Sequence, residues 1–242
     1  MRTQLRSQVA KLRALHQGYA AKAHEKEELI TLKNTQRKYP INEEQVKADI
    51  VAIQRVLNVS DFRVSVWFCS DDKIRDLNED WREKRKATDV LSFPANEFRT
   101  PGVLDEAAHA SGHLGDIVIS PGYVQRVCDR DREEFARARE NVAAGSVCTD
   151  GAERDAGVSL AMASCFSLEE RLPLLLVHSL LHLIGYDHET DQDWRLMTHR
   201  EQEVLDALGW GPAMMKPMGV QLSSRLAVTP PTKTASIEHC KS

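Results

Sequence analysis

The chain has 242 residues, of which 42% are hydrophobic, 28% charged and 6% aromatic, a composition typical of one globular domain with appended segments. Twelve glycines and nine prolines exclude a collagen-like chain, and five cysteines without a C-x-x-C pair favour free thiols over a disulfide scaffold. The net charge of −4 is uneven: residues 1–40 carry nine Lys and Arg against three acids, and residues 41–242 carry 23 against 33, so any contact with nucleic acid requires a local basic patch.

Residues 1–27 are basic and amphipathic. The first acid is Glu25, and it is preceded by five Lys and Arg residues and by helically spaced aliphatic residues, namely Leu5, Val9, Leu12 and Leu15. Organelle import signals are cationic amphipathic helices. We therefore expect a transit peptide addressed to the mitochondrion, with a plastid or the cytoplasm as alternative locations. The other interpretation of this segment is a solvated or disordered extension without an address.

Four β-strands are predicted from hydrophobic patterning. Segment 62–69 has apolar residues at every second position, which is typical of a half-buried strand. Shorter strands are predicted at 29–32, 88–93 and 114–120. The last two of these strands are separated by a loop rich in Ala, Gly and His.

Five helices are predicted from capping residues and apolar spacing. The first follows an N-cap at Asn42 and buries one face, made of Val46, Ile50, Ile53 and Leu57. The second and third span 71–82 and 123–139. The fourth begins at a capping box at Ser167 and continues to Ile184, with Pro173 as an alternative start or a kink. The fifth spans 190–208, with four residues predicted to face inward, namely Trp194, Met197, Val204 and Leu205.

These elements define one predicted domain at residues 28–212. An insertion at about 141–165, rich in Ala, Gly and Ser, is predicted to interrupt it, and a disordered tail at 213–242 to follow it. The longest strongly apolar run, 172–177, is far shorter than the ~20 residues of a membrane span. We therefore expect no membrane contact.

Three histidines have the spacing of a metal site. His178 and His182 are four residues apart and therefore share one helix face. Gly185 can adopt the left-handed conformation that ends a helix and returns the chain, with His188, to the same point. Three imidazole ligands leave a fourth position open, as in catalytic zinc sites. The alternative is an accidental cluster of histidines, which this spacing disfavours.

The same spacing occurs in the zinc segment of metzincin proteases. Those enzymes carry Glu directly after the first histidine as the general base. Here that position holds Ser179, which cannot act as such a base. A zinc peptidase is therefore the weaker alternative.

Three parts of the sequence together resemble the YbeY family, the single-strand-specific metallo-endoribonucleases of ribosomal RNA maturation. They are the histidine segment 178–188, the pair 77–82 and 88–94, and segment 114–119. The three occur in the family's order, and the resemblance covers roughly residues 28–210. The family usually has Gly where this chain has Ser179. The insertion and both terminal segments depart from the compact bacterial pattern.

The resemblance implies an α+β fold: a small, about four-stranded mixed sheet packed with helices, one of them a zincin-like metal-binding helix. It implies His178, His182 and His188 as ligands of one Zn²⁺ per chain. It also implies Arg82 as a catalytic residue that binds the scissile phosphate. A guanidinium suits this role because it binds phosphate oxygens in pairs and stays charged.

Further residues near these segments are weaker candidates. Lys84, Arg85 and Lys86 form the densest basic cluster of the acidic body and are predicted to contact RNA, the alternative being a solvated loop. Asp116 is expected either to orient an imidazole from outside the ligand set or to serve turn chemistry. Two loop histidines, His109 and His113, are expected to be solvated.

The resemblance implies a zinc-dependent endoribonuclease that acts on single-stranded RNA in maturation of the small ribosomal subunit. Small-subunit ribosomal RNA and small-subunit ribosomal proteins are the expected partners. A zinc-bound water and an RNA 2′-hydroxyl are both compatible nucleophiles, and the sequence identifies no general base. A second alternative is a non-catalytic ribosome-assembly factor in which zinc only joins the helix end to the following loop. A fourth protein ligand would favour that alternative.

Overall fold

A computed structural model describes residues 29–143 and 165–210. These residues form four strands and six helices, in the order β1 (Ile30–Asn34), α1 (Glu43–Val56), β2 (Arg63–Phe68), α2 (Asp71–Arg82), β3 (Val90–Pro94), α3 (Glu106–Ser111), β4 (His113–Ile119), α4 (Pro121–Ala143), α5 (Leu168–Leu183) and α6 (Asp191–Leu208). The predicted transit segment, most of the predicted insertion and the predicted tail lie outside the described residues.

The four strands form one mixed sheet in the order β1-β2-β4-β3. β1 and β4 both run parallel to β2, whereas β3 is antiparallel to β4 and forms an edge of the sheet. β2 alternates buried and half-buried residues along its length, as its sequence predicts. The α+β fold with a four-stranded mixed sheet is therefore confirmed.

The main core lies between one face of the sheet and the helices α1, α5 and α6. A smaller apolar cluster, which includes Ile74 of α2 and Leu91 of β3, occupies the opposite face. α5 is buried on almost every side and contacts β3, β4 and three other helices. Across the residues that the structure describes, no helix is long and apolar enough to cross a membrane.

α5 begins at its predicted cap. The Ser167 hydroxyl oxygen accepts a hydrogen bond from the Glu170 backbone N–H at 3.2 Å, which satisfies one of the unpaired donors of the first turn. Glu170 in turn accepts from the Phe166 N–H at 3.0 Å. The helix therefore starts at Leu168, and Pro173 lies inside it rather than at its start.

The structure corrects several sequence predictions. The loop predicted between β3 and β4 contains the short helix α3, because Asp105 accepts from the Ala108 N–H and Gly112 ends the helix in a left-handed conformation. β1 ends two residues later than predicted, because its polar residues Lys33 and Asn34 still pair with β2. α4 extends to Ala143, into the predicted insertion.

The inward face predicted for the last helix is wrong at one position. Met197, Val204 and Leu205 are buried as predicted, but Trp194 is 43% exposed. Trp194 lies in the first turn of α6, beyond the end of the apolar face that packs on the core. A long aromatic side chain at a helix end can keep helical periodicity without being covered.

Candidate metal centre

The three histidines of the sequence motif converge. One nitrogen of each imidazole lies within 4.8 Å of a nitrogen of the other two. The ring centroids of His178 and His182 are 4.6 Å apart, and His188 lies 5.5 and 5.0 Å from them. The structure thus brings together the side chains that the spacing predicts, on α5 and the loop that follows it.

Gly185 makes the turn that returns His188 to α5. Its φ is +92°, a conformation that L side chains rarely adopt, and a Cβ there would lie 2.5 Å from the Cβ of Phe98. Its N–H donates to the His182 carbonyl at 3.1 Å, and the Asp187 carboxylate accepts from the His188 N–H at 2.8 Å. These contacts fix the backbone between the second and third histidines.

Two hydrogen bonds orient the helical imidazoles through their Nδ1 atoms. His178 Nδ1 lies 2.7 Å from Oε1 of Glu201, an α6 residue that is only 6% exposed. His182 Nδ1 lies 2.9 Å from the carbonyl oxygen of Tyr186. Because a carbonyl or carboxylate oxygen only accepts, both Nδ1 atoms carry the hydrogen and both Nε2 atoms present lone pairs.

The two Nε2 atoms face each other at 3.1 Å. Two neutral rings with lone pairs at this distance would repel, so either a metal ion or a proton shared in an N–H···N hydrogen bond lies between them. Tetrahedral zinc with Zn–N bonds of about 2.0–2.1 Å separates its nitrogen ligands by about 3.3 Å. The arrangement of His178 and His182, with each ring held through Nδ1, therefore fits a metal ion bound at Nε2.

The protonation state of His182 also suits metal binding. Burial lowers the pKa of His182 to about 3, and the charges of His178, His188 and Arg82 act in the same direction. The neutral ring is the form that binds a metal. Arg82, the last residue of α2, is thus one of the charges that act on His182.

The centre opens toward solvent on one side. His178 is buried, whereas His182 and His188 are half-buried. Within residues 29–143 and 165–210, no other His, Cys, Asp or Glu joins this group, so the described chain closes only three positions of a tetrahedral ion. Ser179, at the position of the protease Glu, is fully buried.

Arg82 is connected to the centre indirectly, through the packing of α2 on β3 and of β3 on α5. It is the last residue of α2, and the ring of the preceding Trp81 packs edge-on against Phe93 of β3, with centroids 5.2 Å apart. β3 in turn packs along α5. Arg82 is exposed and makes no ion pair or side-chain hydrogen bond with any described residue, so its guanidinium is available to a ligand.

The loop after α2 holds three further predicted site residues. Lys84, Arg85 and Lys86 are all exposed, and Arg85 Nε lies 3.5 Å from Oε2 of Glu79, a surface pair that contributes little. Asn78 holds this basic loop by donating to the Lys86 carbonyl at 2.8 Å. RNA contact by the three basic residues stays a prediction.

Asp116 is half-buried in β4, opposite Phe93 of β3 and Ser65 of β2. Its predicted role beside an imidazole stays a prediction. His109 is exposed, as predicted, but lies on α3 rather than in a loop. His113 begins β4 and is half-buried, so the prediction that it is solvated is wrong.

Sequence reasoning missed Glu201. It lies 23 residues from His178, and their contact depends on how α6 packs on α5. One signal was available in the sequence: Glu201 is an acid on the helix face that carries Met197, Val204 and Leu205. A buried acid on an apolar face needs a partner, and a metal-binding imidazole is one such partner.

Glu201→Ala should weaken zinc binding by about 10- to 100-fold, because it removes the carboxylate that orients His178. Glu201→Gln should weaken zinc binding less than Glu201→Ala does, since the amide oxygen still accepts a hydrogen bond from Nδ1 of His178. The measurement is the zinc dissociation constant, obtained by competition with a chromophoric chelator on variants shown by circular dichroism to be folded. Glu203→Ala, an exposed acid on the same helix, is the matched control. Equal zinc affinities of Glu201→Ala and this control would contradict the assignment.

Comparison with known proteins agrees with the motif. The family model described as endoribonuclease YbeY matches residues 31–148 and 146–209. A protein of that name from Thermoanaerobacter sp. (strain X514) is 34% identical over 174 residues, 70% of this chain and 89% of that protein. The Homo sapiens protein of the same name is 28% identical over 182 residues, which cover 74% of this chain and 88% of that protein. The Finegoldia magna protein of the same name is 28% identical over 186 residues, which cover 75% of this chain and 94% of that protein.

Proposed function

Since the chain belongs to the endoribonuclease YbeY family, we propose that it cleaves single-stranded RNA in a zinc-dependent reaction and acts in maturation of small-subunit ribosomal RNA. The observation that carries the proposal is the pair of Nε2 atoms facing each other at 3.1 Å, with the third imidazole beside them and with Arg82, which is unpaired among the described residues, on a helix that packs on β3. This arrangement combines a metal site that has an open position with a cation suited to phosphate.

The clustering of the three histidines and the exposure of Arg82 support the following roles, which are part of the proposal. His178, His182 and His188 hold the ion, which when bound supplies Lewis-acid chemistry by polarising a phosphoryl oxygen. Glu201 keeps His178 in the tautomer that binds through Nε2. Arg82 binds the scissile phosphate and stabilises the negative charge that develops on it.

Glu201 is not assigned as a general base. Its carboxylate is buried and accepts from Nδ1 of His178, on the side of the ring away from the proposed ion. The proton acceptor for the attacking hydroxyl is therefore left to solvent or to the RNA itself. Both a water molecule and a 2′-hydroxyl stay compatible as the nucleophile.

The proposal is tested by incubating the zinc-loaded protein with a single-stranded RNA, the same sequence as a duplex, and an unstructured peptide mixture. We expect cleavage of the single strand that stops when the metal is chelated and returns when zinc is restored. The duplex and the peptides should stay intact. Zinc-dependent cleavage of the peptides, with intact RNA, would replace the proposal by the peptidase alternative.

Two alternatives are disfavoured by specific observations. A metzincin-like peptidase needs a base at position 179, where a fully buried serine lies. A purely structural zinc needs a fourth protein ligand, and the described residues supply three. A protein that binds zinc tightly and associates with the small ribosomal subunit, yet leaves every RNA intact, would favour the assembly-factor alternative.

We also propose a mitochondrial location and contacts with small-subunit ribosomal proteins. The basic, amphipathic composition of residues 1–27 supports the location. Fusion of residues 1–27 to a fluorescent reporter should direct the reporter to mitochondria, or to plastids where the source cell has them. A diffuse cytosolic signal would contradict the location and leave the nuclease proposal unaffected.

A further inference from the structure

A cavity of about 780 Å³ is lined in part by Phe98, which packs against Gly185 in the turn of the metal site. Its lining comes from the segment after β3 and from the start of α3, and includes Asn96, Glu97, Phe98, Arg99 and Asp105. This volume falls in the range of sites for small organic ligands. The cavity is therefore large enough for one nucleotide.

Two contacts join segment 98–102, of which Phe98 and Arg99 line the cavity, to the loop that carries the third histidine. Phe98 packs against Gly185, so closely that only a glycine fits there. The Gly102 N–H donates to the carbonyl of Ile184 at 2.9 Å. Gly185 lies three residues from both His182 and His188, so Phe98 links the cavity wall to the turn of the metal site.

The lining carries two opposite charges without partners. Glu97 and Arg99 are both exposed, and neither makes an ion pair or a side-chain hydrogen bond with any residue in 29–143 or 165–210. The arginines of α4 with described side chains behave differently, since Arg126, Arg130, Arg132 and Arg137 all pair with acids. Two uncommitted opposite charges in one cavity are available to a ligand that presents both donors and an anion.

Apart from Arg99, the polar side chains of the lining, Asn96, Glu97 and Asp105, offer hydrogen-bond acceptors to a ligand. The side-chain amide nitrogen of Asn96 donates a hydrogen bond to the His113 carbonyl oxygen at 2.8 Å, so the side-chain oxygen of Asn96 stays available to a ligand. Asp105 accepts from the Ala108 N–H at the start of α3. The Glu97 carboxylate offers two oxygens side by side, a geometry that accepts two parallel N–H bonds.

Resting on the proposed nuclease function, we infer that this cavity is a subsite for a guanine nucleotide of the single-stranded RNA substrate. Guanine has two adjacent donors on its Watson–Crick edge, N1–H and the 2-amino group, and matches the Glu97 carboxylate. Adenine, cytosine and uracil each place an acceptor beside their donor. Arg99 contacts the phosphate of the same nucleotide, and the base is read on its Watson–Crick edge as in other single-strand sites.

The test is isothermal titration of the zinc-loaded full chain with guanosine, adenosine, cytidine and uridine monophosphates. The wild-type protein should bind the guanosine nucleotide about 10- to 100-fold more tightly than the others, as expected for one bidentate base contact. Glu97→Gln should remove that preference and favour adenine relative to guanine, since an amide offers one donor and one acceptor. Glu44→Gln, an exposed acid of α1, is the control for loss of charge and should keep the preference.

Arg99→Ala should lower the affinity for all four nucleotides alike and reduce the dependence of binding on salt. The control Arg37→Ala, at an exposed loop position, should change neither quantity. Equal wild-type affinities for the four nucleotides, or equal effects of Glu97→Gln and Glu44→Gln, would overturn the inference. If the protein cleaved RNA but showed no base preference that depends on Glu97, the guanine subsite would be rejected and the proposed nuclease function would stand. Glu97-dependent guanine binding by a protein that leaves RNA intact would support the subsite and contradict the nuclease.

Discussion

His182→Ala should lose most of the bound zinc and at least about a thousandfold of the RNA cleavage rate. The variant removes one of the two facing Nε2 ligands, and a two-histidine site leaves too few ligands for tight zinc binding. Loss of the Lewis acid removes several kcal/mol of transition-state stabilisation, and about 4 kcal/mol corresponds to a thousandfold. Zinc content by elemental analysis and single-turnover cleavage of a short RNA measure the two effects.

The same variant should be comparatively harmless to the metal-free protein. Without an ion, the Nε2 atoms of His178 and His182 share at most one N–H···N hydrogen bond at 3.1 Å, so removal of one ring costs only about 1 kcal/mol for that bond and some packing. We expect the unfolding temperature of metal-free His182→Ala to be close to that of the metal-free wild type, whereas zinc should raise it only in the wild type. A variant that retains one zinc per chain would contradict the ligand assignment.

The sequence predicted those elements whose signals are local. The alternation of β2, the caps Asn42 and Ser167, and the bounds of α2 follow from residues within a few positions of one another. The motif likewise predicts the histidine cluster, because helical spacing and Gly185 bring its members together without help from the rest of the fold.

Features that depend on packing between distant segments were not predictable in the same way. α3 has only six residues, in a stretch whose Ala, Gly and His content is also typical of a loop. Glu201 reaches His178 because α6 returns along α5. Phe98 of the cavity lining packs on Gly185 of the metal-site turn, a contact between segments that no periodicity connects.

Arg82→Ala should reduce RNA cleavage by roughly 30- to 1000-fold, equivalent to about 2–4 kcal/mol of transition-state stabilisation from one charge-assisted phosphate contact. Zinc binding should be unchanged or slightly tighter, because the Arg82 charge disfavours a second positive charge at His182. Arg82→Lys should restore only part of the rate, since an ammonium keeps the charge without the bidentate geometry. The measurements are the cleavage rate at saturating RNA and the zinc dissociation constant.

Arg55→Ala is the matched control for Arg82→Ala. Arg55 is also exposed, unpaired among the described residues and placed in the last turn of its helix, α1. Both variants therefore lose the same favourable interaction with a helix C-terminus, about 0.3–1 kcal/mol of stability, and only Arg82→Ala should lose cleavage. Removing charge at Lys84, Arg85 and Lys86 should instead weaken RNA binding in a salt-dependent way, with less effect on the rate at saturation. If Arg82→Ala and Arg55→Ala cleaved saturating RNA equally fast, the phosphate contact would belong to that basic loop and not to Arg82.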